Sequence, residues 1–382
     1  MQKQMATSSA EILVVGGGPA GLSAAIALRQ RGADVLVVEA QRPPIDKACG
    51  EGLMPDSRVE LERLGITLTP QDGGEFRGIR FANSNNRQDC VSARFANGVG
   101  LGVRRVYLHQ LMIERAQSLG VRMAWNTRAE LCEQNKVLVA GEPCEYQYLV
   151  GADGQASSVR RWAMLEEGTT VSRRFGFRRH FRVRPWSEYV EVHWGGRGQA
   201  YVTPVGQNEL CIATIAGDPQ IRMAEVLSSI PFLKEKLDGQ EISSAYRGAV
   251  TTTRRLERVA CGRIALIGDA SGSADAITGE GLAMVFRQSQ LLATAVERGD
   301  LDFYAEGHPA ILKLPMTMAR VMLAMDRWPS FRDRAIHVMA TDPALFSRLL
   351  DVHMGEESLP RFVYEKGLHM GLRMLAPAWA NL

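Results

Sequence analysis

The chain has 382 residues, with 45 Lys and Arg against 42 Asp and Glu and a formal charge of +3. So even a balance gives no reason to expect nucleic acid or another polyanion as partner, and the length allows two or three structural units around a large core. Six cysteines (Cys49, Cys90, Cys132, Cys144, Cys211 and Cys261) are scattered without a C-x-x-C pair. That spacing points to reduced thiols in a cytoplasmic protein and to neither a disulfide framework nor a metal site. Residues 1–10 lack the apolar centre of a signal peptide.

Residues 11–28 (EILVVGGGPAGLSAAIAL) read as strand, turn and helix, and residues 34–39 (DVLVVE) as the next strand. The apolar run 12–28 is too short to span a membrane and is interrupted by Gly-Gly-Gly-Pro. Gly16, Gly18 and Gly21 have the G-x-G-x-x-G spacing, with Pro19 and Ala20 inside it. In a dinucleotide-binding turn the first glycine permits the turn, the second admits the pyrophosphate and the third lets helix and strand pack closely. The helix start then offers free N–H groups to phosphate. Glu39, at the end of the second strand, stands where an acid accepts hydrogen bonds from a ribose with a free 2′-hydroxyl. This fits FAD or NAD, and the fingerprint alone leaves both open.

In chain order, Pro43-Pro44 ends that strand, and residues 47–55 (KACGEGLMP) form a glycine loop able to approach a flat ligand. A helix is expected over 56–64, capped by Asp56 or Ser57. Segments 76–81 and 90–95 alternate around a polar turn at 83–87 and read as a hairpin. The glycine-rich 98–102 reads as a loop. Then come a helix over 105–118, strands over 121–127, 136–139 and 146–149, and a short helix capped by Ser157 that carries Arg160 and Arg161. From 170 to 250 the pattern is antiparallel, with strands at 175–183, 189–194, 200–204 and 210–215 and one helix over 224–237. Residues 263–267 are a buried strand, 282–298 a long helix, and 301–382 read as helical throughout. These elements give an α/β chain in three parts: a discontinuous nucleotide domain (1–75, 99–168 and 259–300), an antiparallel-sheet substrate domain (76–98 and 169–258) and a helical C-terminal region (301–382).

Two later clusters narrow the cofactor. Gly151-Ala152-Asp153-Gly154-x-x-Ser157-x-Val159-Arg160 resembles the "DG" motif of the glutathione-reductase-like FAD family, in its para-hydroxybenzoate-hydroxylase-type branch. Residues 263–269 (RIALIGD) resemble the same family's "GD" motif. The resemblance implies a Rossmann-like FAD-binding domain holding noncovalent FAD. It implies that Asp269 meets the ribityl or ribose hydroxyls, and that the helix opened by Thr278-Gly279-Glu280-Gly281 points its positive end at the flavin pyrimidine. Arg105 resembles the arginine that opens the helix near the diphosphate. Further contacts implied are Ala40, Cys49, Gly50, Ala129, Asp153, Gly154 and Gly268. Residues 268–281 (GDASGSADAITGEG) and 47–52 (KACGEG) resemble the geranylgeranyl-reductase-like group more closely. That group's aromatic motif falls at Tyr201-Val202-Thr203-Pro204, which makes Tyr201 and Pro204 substrate candidates. This chain departs from the group at Ala276, where a proline is expected, and in the reduced aromatic motif. The W-x-W-x-I-P signature of flavin-dependent halogenases is absent.

The resemblance implies an FAD-dependent oxidoreductase. In one reading NAD(P)H reduces FAD, oxygen adds at the flavin C4a, and an apolar or aromatic small molecule is hydroxylated or epoxidised. In the other, a carbon–carbon double bond of an isoprenoid or similar substrate is reduced. A non-catalytic FAD-binding module is the reading from another class. With one fingerprint, NAD(P)H must bind transiently or a separate reductase must supply electrons. Cys49 and Glu51 are the catalytic candidates, although Cys49 also suits plain burial and Glu51 a loop-capping role. The basic run Arg173, Arg174, Arg178, Arg179, Arg182 and Arg184 is expected on a solvated strand face. His180 and His193 are expected to be sheet residues. The methionines of the helical region (Met316, Met318, Met322, Met325, Met339, Met354, Met370 and Met374) suit core packing first and an apolar channel second. No spanning segment is expected; a peripheral membrane contact is compatible with this composition, but no motif carries it.

Overall fold

The computed structural model describes residues 9–83, 90–133 and 136–375. Strand Ser9–Val15 runs parallel between Val35–Glu39 and Glu142–Gly151. Arg122–Trp125 extends the sheet on one side and Ile264–Leu266 on the other, both also parallel. Ile12, Leu13 and Val14 are fully buried, as a strand covered on both faces requires. Helix Pro19–Gln30 packs on this sheet between Arg105–Ser118 and Gly281–Glu297. Ile264–Leu266 joins the sheet only after the chain has built a second one, so two distant sequence segments meet beside the glycine turn.

The second sheet has the order Gly272–Ser273, Arg247–Leu256, Gly168–Phe181, Glu209–Ala216, Gly198–Gly206, Val190–Gly195, Gly78–Asn83 and Cys90–Arg94. Its pairs are antiparallel except Val190–Gly195 with Gly78–Asn83, which is parallel. Alternation divides its residues between two faces. Ala200, Val202, Leu210 and Ile212 pack under helices Met223–Ser228 and Pro231–Leu237. Tyr201, Thr203, Ala213 and Arg178 face the other way, into the cavity described below.

Several expectations change in detail. The 98–102 segment is not a plain loop: Gly100–Gly102 is a strand between Gly52–Leu53 and Gly74–Phe76. Glycine is needed there because a Cβ on Gly102 would lie 1.8 Å from the Pro204 carbonyl oxygen. Phe76 therefore belongs to this small sheet and not to the hairpin. The hairpin joins Gly78–Asn83 to Cys90–Arg94, and residues 84–89 of its expected turn lie outside the described residues. The helix expected over 56–64 starts at Pro55, a proline at the first turn, with Met54 preceding it. The helix expected over 224–237 is two helices, because Pro231 cannot donate the bond that would continue the first. The C-terminal region is helical at Leu301–Arg327, Pro329–Thr341, Pro343–His353, Leu359–Phe362 and Leu368–Leu375, and 376–382 lie outside the described residues. These helices close on the second sheet through Met325, Met339 and Phe346 against Phe81, Val192 and Trp194.

Candidate functional site

A cavity of about 1130 Å³ runs between the two sheets. It starts at the glycine turn, passes the 47–52 loop and the Gly268–Gly281 segment, and ends among the C-terminal helices.

At the nucleotide end, Gly16 has φ +112°, and a Cβ there would sit 2.3 Å from the Ala152 carbonyl oxygen. Gly18 is open: a Cβ would meet nothing within 4 Å. The helix that follows begins with Pro19 and has no side-chain cap, so its first N–H groups remain available. Glu39 is held by two backbone donors, Gly17 N–H to Oε2 at 2.7 Å and Gln41 N–H to Oε1 at 2.8 Å. Ala20, Ala40, Ala129, Asp153 and Gly154 line the same end. Asp153 Oδ2 accepts from the Ser158 and Val159 N–H groups, at 2.6 and 3.2 Å. Its Oδ1 is buried with no hydrogen-bond partner among the described residues, and so is the Arg105 Nε. Gly21 does not line the cavity. A Cβ on it would lie 1.7 Å from the Gly16 oxygen, so its task is close packing of helix on strand.

His109 supports this end and was not singled out from the sequence. Its Nε2 donates to the Gly17 carbonyl at 2.8 Å and its Nδ1 accepts from the Ile45 N–H at 3.3 Å. Burial lowers its pKa, which keeps the ring neutral and suits one donor and one acceptor nitrogen. Its place beside Leu108 and Met112 on the buried stripe of helix Arg105–Ser118 was the available signal.

In the middle, the 47–52 loop meets the second sheet. Cys49 is half-buried and Gly50 lies beside it on the lining. Glu51 is buried with φ +61°. Its Oε1 accepts from the Arg105 N–H at 3.0 Å, and its Oε2 lies 2.6 Å from His180 Nε2. His180 Nδ1 is 2.7 Å from Ser244 Oγ. Glu51 thus caps a helix start and also bonds a histidine of the second sheet. His180 is a strand residue, as expected, but one whose ring serves the loop.

The solvated-face expectation for the arginine run holds for Arg173, Arg182 and Arg184 and fails for two others. Arg174 and Arg178 are buried because strand alternation turns them toward the cavity, where distant acids meet them. Arg178 pairs with Asp46 and lies 3.7 Å from Glu51 Oε1. Arg174 pairs with Asp275 at 3.3 Å and Asp326 at 3.1 Å. The donor atoms of Glu51, His180 and Cys211 lie within 4.8 Å of one another. The Arg178 cation beside Glu51 and the burial that pushes up the Cys211 thiol both disfavour a metal there.

On the far wall, the Gly268 N–H donates to Gln288 Oε1 at 2.9 Å, and Asp269 pairs with Lys47 at 3.6 Å across the cavity rim. Gly279 and Gly281 line the cavity, and a Cβ on either would meet nothing within 4 Å. Glu280 turns away: its buried carboxylate faces His353 at 3.7 Å, and burial raises its pKa. Tyr201 lines the cavity, its hydroxyl 3.1 Å from Gln199 Oε1 and 3.2 Å from the Ile277 carbonyl. Pro204 does not; its backbone packs under Gly74 and Gly102. Beyond Tyr201 the lining is largely apolar, with His353 among it. Met318, Met322, Met325, Met339 and Met370 reach it, with Leu312 and Phe346, whereas Met316, Met354 and Met374 do not. Core packing alone therefore does not account for the methionine-rich helices.

Residues 9–295, well over half of the chain, match a family described as FAD binding domain. The chain belongs to this FAD-binding family. It is 27% identical over 320 residues to a menaquinone reductase of Mycobacterium tuberculosis, covering 77% of this chain and 78% of that protein. It is 24% identical over 299 residues to a digeranylgeranylglycerophospholipid reductase of Methanosarcina acetivorans, covering 71% of each. Among solved structures, a flavoprotein/dehydrogenase from Cytophaga hutchinsonii shares the fold with a TM-score of 0.79 at 17% identity, covering 96% of this chain and 99% of that one. The chain is an FAD-dependent oxidoreductase. The residues fit the cofactor: an open glycine face, an uncapped helix start, an acid at the second strand end, and buried Asp153 Oδ1 and Arg105 Nε without partners. Among the described residues, no helix is long and apolar enough to cross a membrane.

Proposed function

We propose that this oxidoreductase reduces a carbon–carbon double bond in an elongated, apolar, isoprenoid-type substrate, with NAD(P)H or a separate reductase as electron donor. One observation carries the reading: the cavity continues without a wall from the glycine turn into a methionine-lined slot between sheet and C-terminal helices. Methionine adapts to long, irregular apolar ligands. Two relatives are named as reductases, one of a molecule bearing geranylgeranyl chains.

Bound FAD supplies hydride transfer; the protein binds, orients and keeps out water. The turn at Gly16, Gly18 and Ala20 and the start of the following helix would hold the diphosphate, and Glu39 a ribose. Asp269, Gly279 and Gly281 would face the rest of the cofactor. Met322, Met325 and Met339 exclude water from the substrate. Burial pushes the Tyr201 hydroxyl far above its ordinary pKa, so it stays a hydrogen-bond donor at neutral pH. Glu51 Oε2 and His180 Nε2 are hydrogen-bonded beside the 47–52 loop, which fixes the Glu51 side chain against the second sheet.

A second reading, hydroxylation or epoxidation of an apolar or aromatic molecule, is favoured by the departures at Ala276 and in the Tyr201–Pro204 motif. Mass analysis of product separates the two. Incubation with a long-chain isoprenoid quinone and a chemical reductant should add two hydrogens to the isoprenoid chain, a mass gain that persists after the quinone head is reoxidised in air. Incorporation of an oxygen atom from labelled dioxygen would instead support the second reading and refute the first.

A further inference from the structure

The structure assigns the outer face of helix Leu301–Arg327, with its turn into Pro329–Thr341, as a docking surface for an anionic lipid bilayer. The inference rests on the proposed apolar substrate and says where that substrate enters. Val321 and Phe331 both line the cavity and are also 42% and 37% exposed. On this assignment the apolar slot opens to the surface between these two helices. Trp328, at the corner joining them, is 56% exposed.

The sequence of this helix places charge beside that mouth. Lys313, Arg320 and Arg327 are seven residues apart, and so are Leu314, Val321 and Trp328. Seven residues are close to two helical turns, so Lys313, Arg320 and Arg327 line up along the axis, with Val321 beside them and Trp328 just past the helix end; Leu314 is half-buried against Val352 and Phe362. All three cations are exposed. None of them has an ion pair among the described residues, and the Arg327 guanidinium lies 5.6 Å from the Trp328 ring centroid. The acid in this stretch, Asp326, is turned inward to Arg174 and Gln199. The other acids of the helix, Asp302 and Glu306, lie toward its far end. A basic stripe beside exposed Val321 and Phe331, with a tryptophan at the helix end, is the chemistry that settles at the headgroup level of an anionic membrane. A protein partner would have to cover the cavity mouth; a bilayer would feed it.

The test is flotation of the FAD-loaded full chain with phosphatidylcholine vesicles, with and without phosphatidylglycerol. Binding should require phosphatidylglycerol and weaken as salt rises. Replacing the three cations together (Lys313→Glu, Arg320→Glu and Arg327→Glu) should weaken it by at least about tenfold. Trp328→Ser should weaken it separately, and both variants should retain FAD. Two results would overturn the assignment: no binding to either vesicle, or equal binding to both that the charge variant leaves unchanged. A dimer in light scattering that Trp328→Ser dissociates would also overturn it, in favour of a second copy of the chain. Activity on detergent-dispersed substrate, read in parallel, keeps this result distinct from the proposed reaction. That activity does not need the docking face and should survive the charge variant.

Discussion

Acid should unseat the Gly268–Asp269 turn through His308. The ring is buried behind the cavity wall, its Nε2 3.1 Å from Gln288 Nε2 and 2.9 Å from Ser271 Oγ. Gln288 must present its oxygen to the Gly268 N–H, so its amide nitrogen, a donor only, faces His308. His308 Nε2 must then accept, which makes the ring neutral with its proton on Nδ1. Burial lowers its pKa from 6.5 to about 4. A depressed value means that the stabilisation is intact above the unfolded-state pKa and is lost as pH falls toward the folded one. Over the full interval from 6.5 to about 4 this is worth about 3 kcal/mol, and about 2 kcal/mol of it is lost between roughly pH 7.5 and pH 5. Protonation also sets N–H against NH₂, which pushes Gln288 off the Gly268 N–H. Urea unfolding across this range should show the loss in the wild type. In His308→Gln, which keeps an acceptor but does not titrate, the profile should be flatter by about that amount. Parallel profiles for the two proteins would refute the reasoning. FAD release on acidification should follow the same difference.

Three substitutions test other parts of the account. Gly21→Val forces a Cβ to within 1.7 Å of the Gly16 oxygen, so purified protein should be colourless or bind FAD at least about a hundredfold more weakly, as judged by flavin fluorescence. Arg174→Met leaves Asp275 buried without its counter-charge and should cost about 3 kcal/mol in urea unfolding; a loss below about 1 kcal/mol would show that the pair is not needed. Met325→Trp narrows the slot beyond Tyr201, so kcat/KM should fall for long-chain substrates and much less for short ones, with FAD content unchanged.

The nucleotide end was legible because its determinants are local: a turn, a helix start and a strand-end acid within thirty residues of one another. The pairing of Glu51 with His180 was not, since it joins residues 129 positions apart through a loop whose path the sequence does not specify. The same holds for Arg174 and Arg178. A basic run on a strand reads as solvated until acids from other segments are seen to meet it. Gly100–Gly102 misled because glycine signals both flexible loops and close backbone approach, and here the second applied. His109 and His308 sit on helix stripes whose periodicity shows burial but not that a ring buttresses a glycine turn. The methionine stripe was ambiguous for a related reason: helical spacing marks a buried face without telling a packed core from a cavity wall.

The most direct test of the central claim is an anaerobic single turnover. Enzyme with its FAD chemically reduced is mixed, without oxygen, with an unsaturated long-chain isoprenoid substrate, and flavin absorbance is followed. The account predicts that the oxidised spectrum returns in the absence of oxygen and that saturated product forms in equal amount. Flavin that stays reduced until oxygen is admitted, with the substrate unchanged before that point, would contradict it.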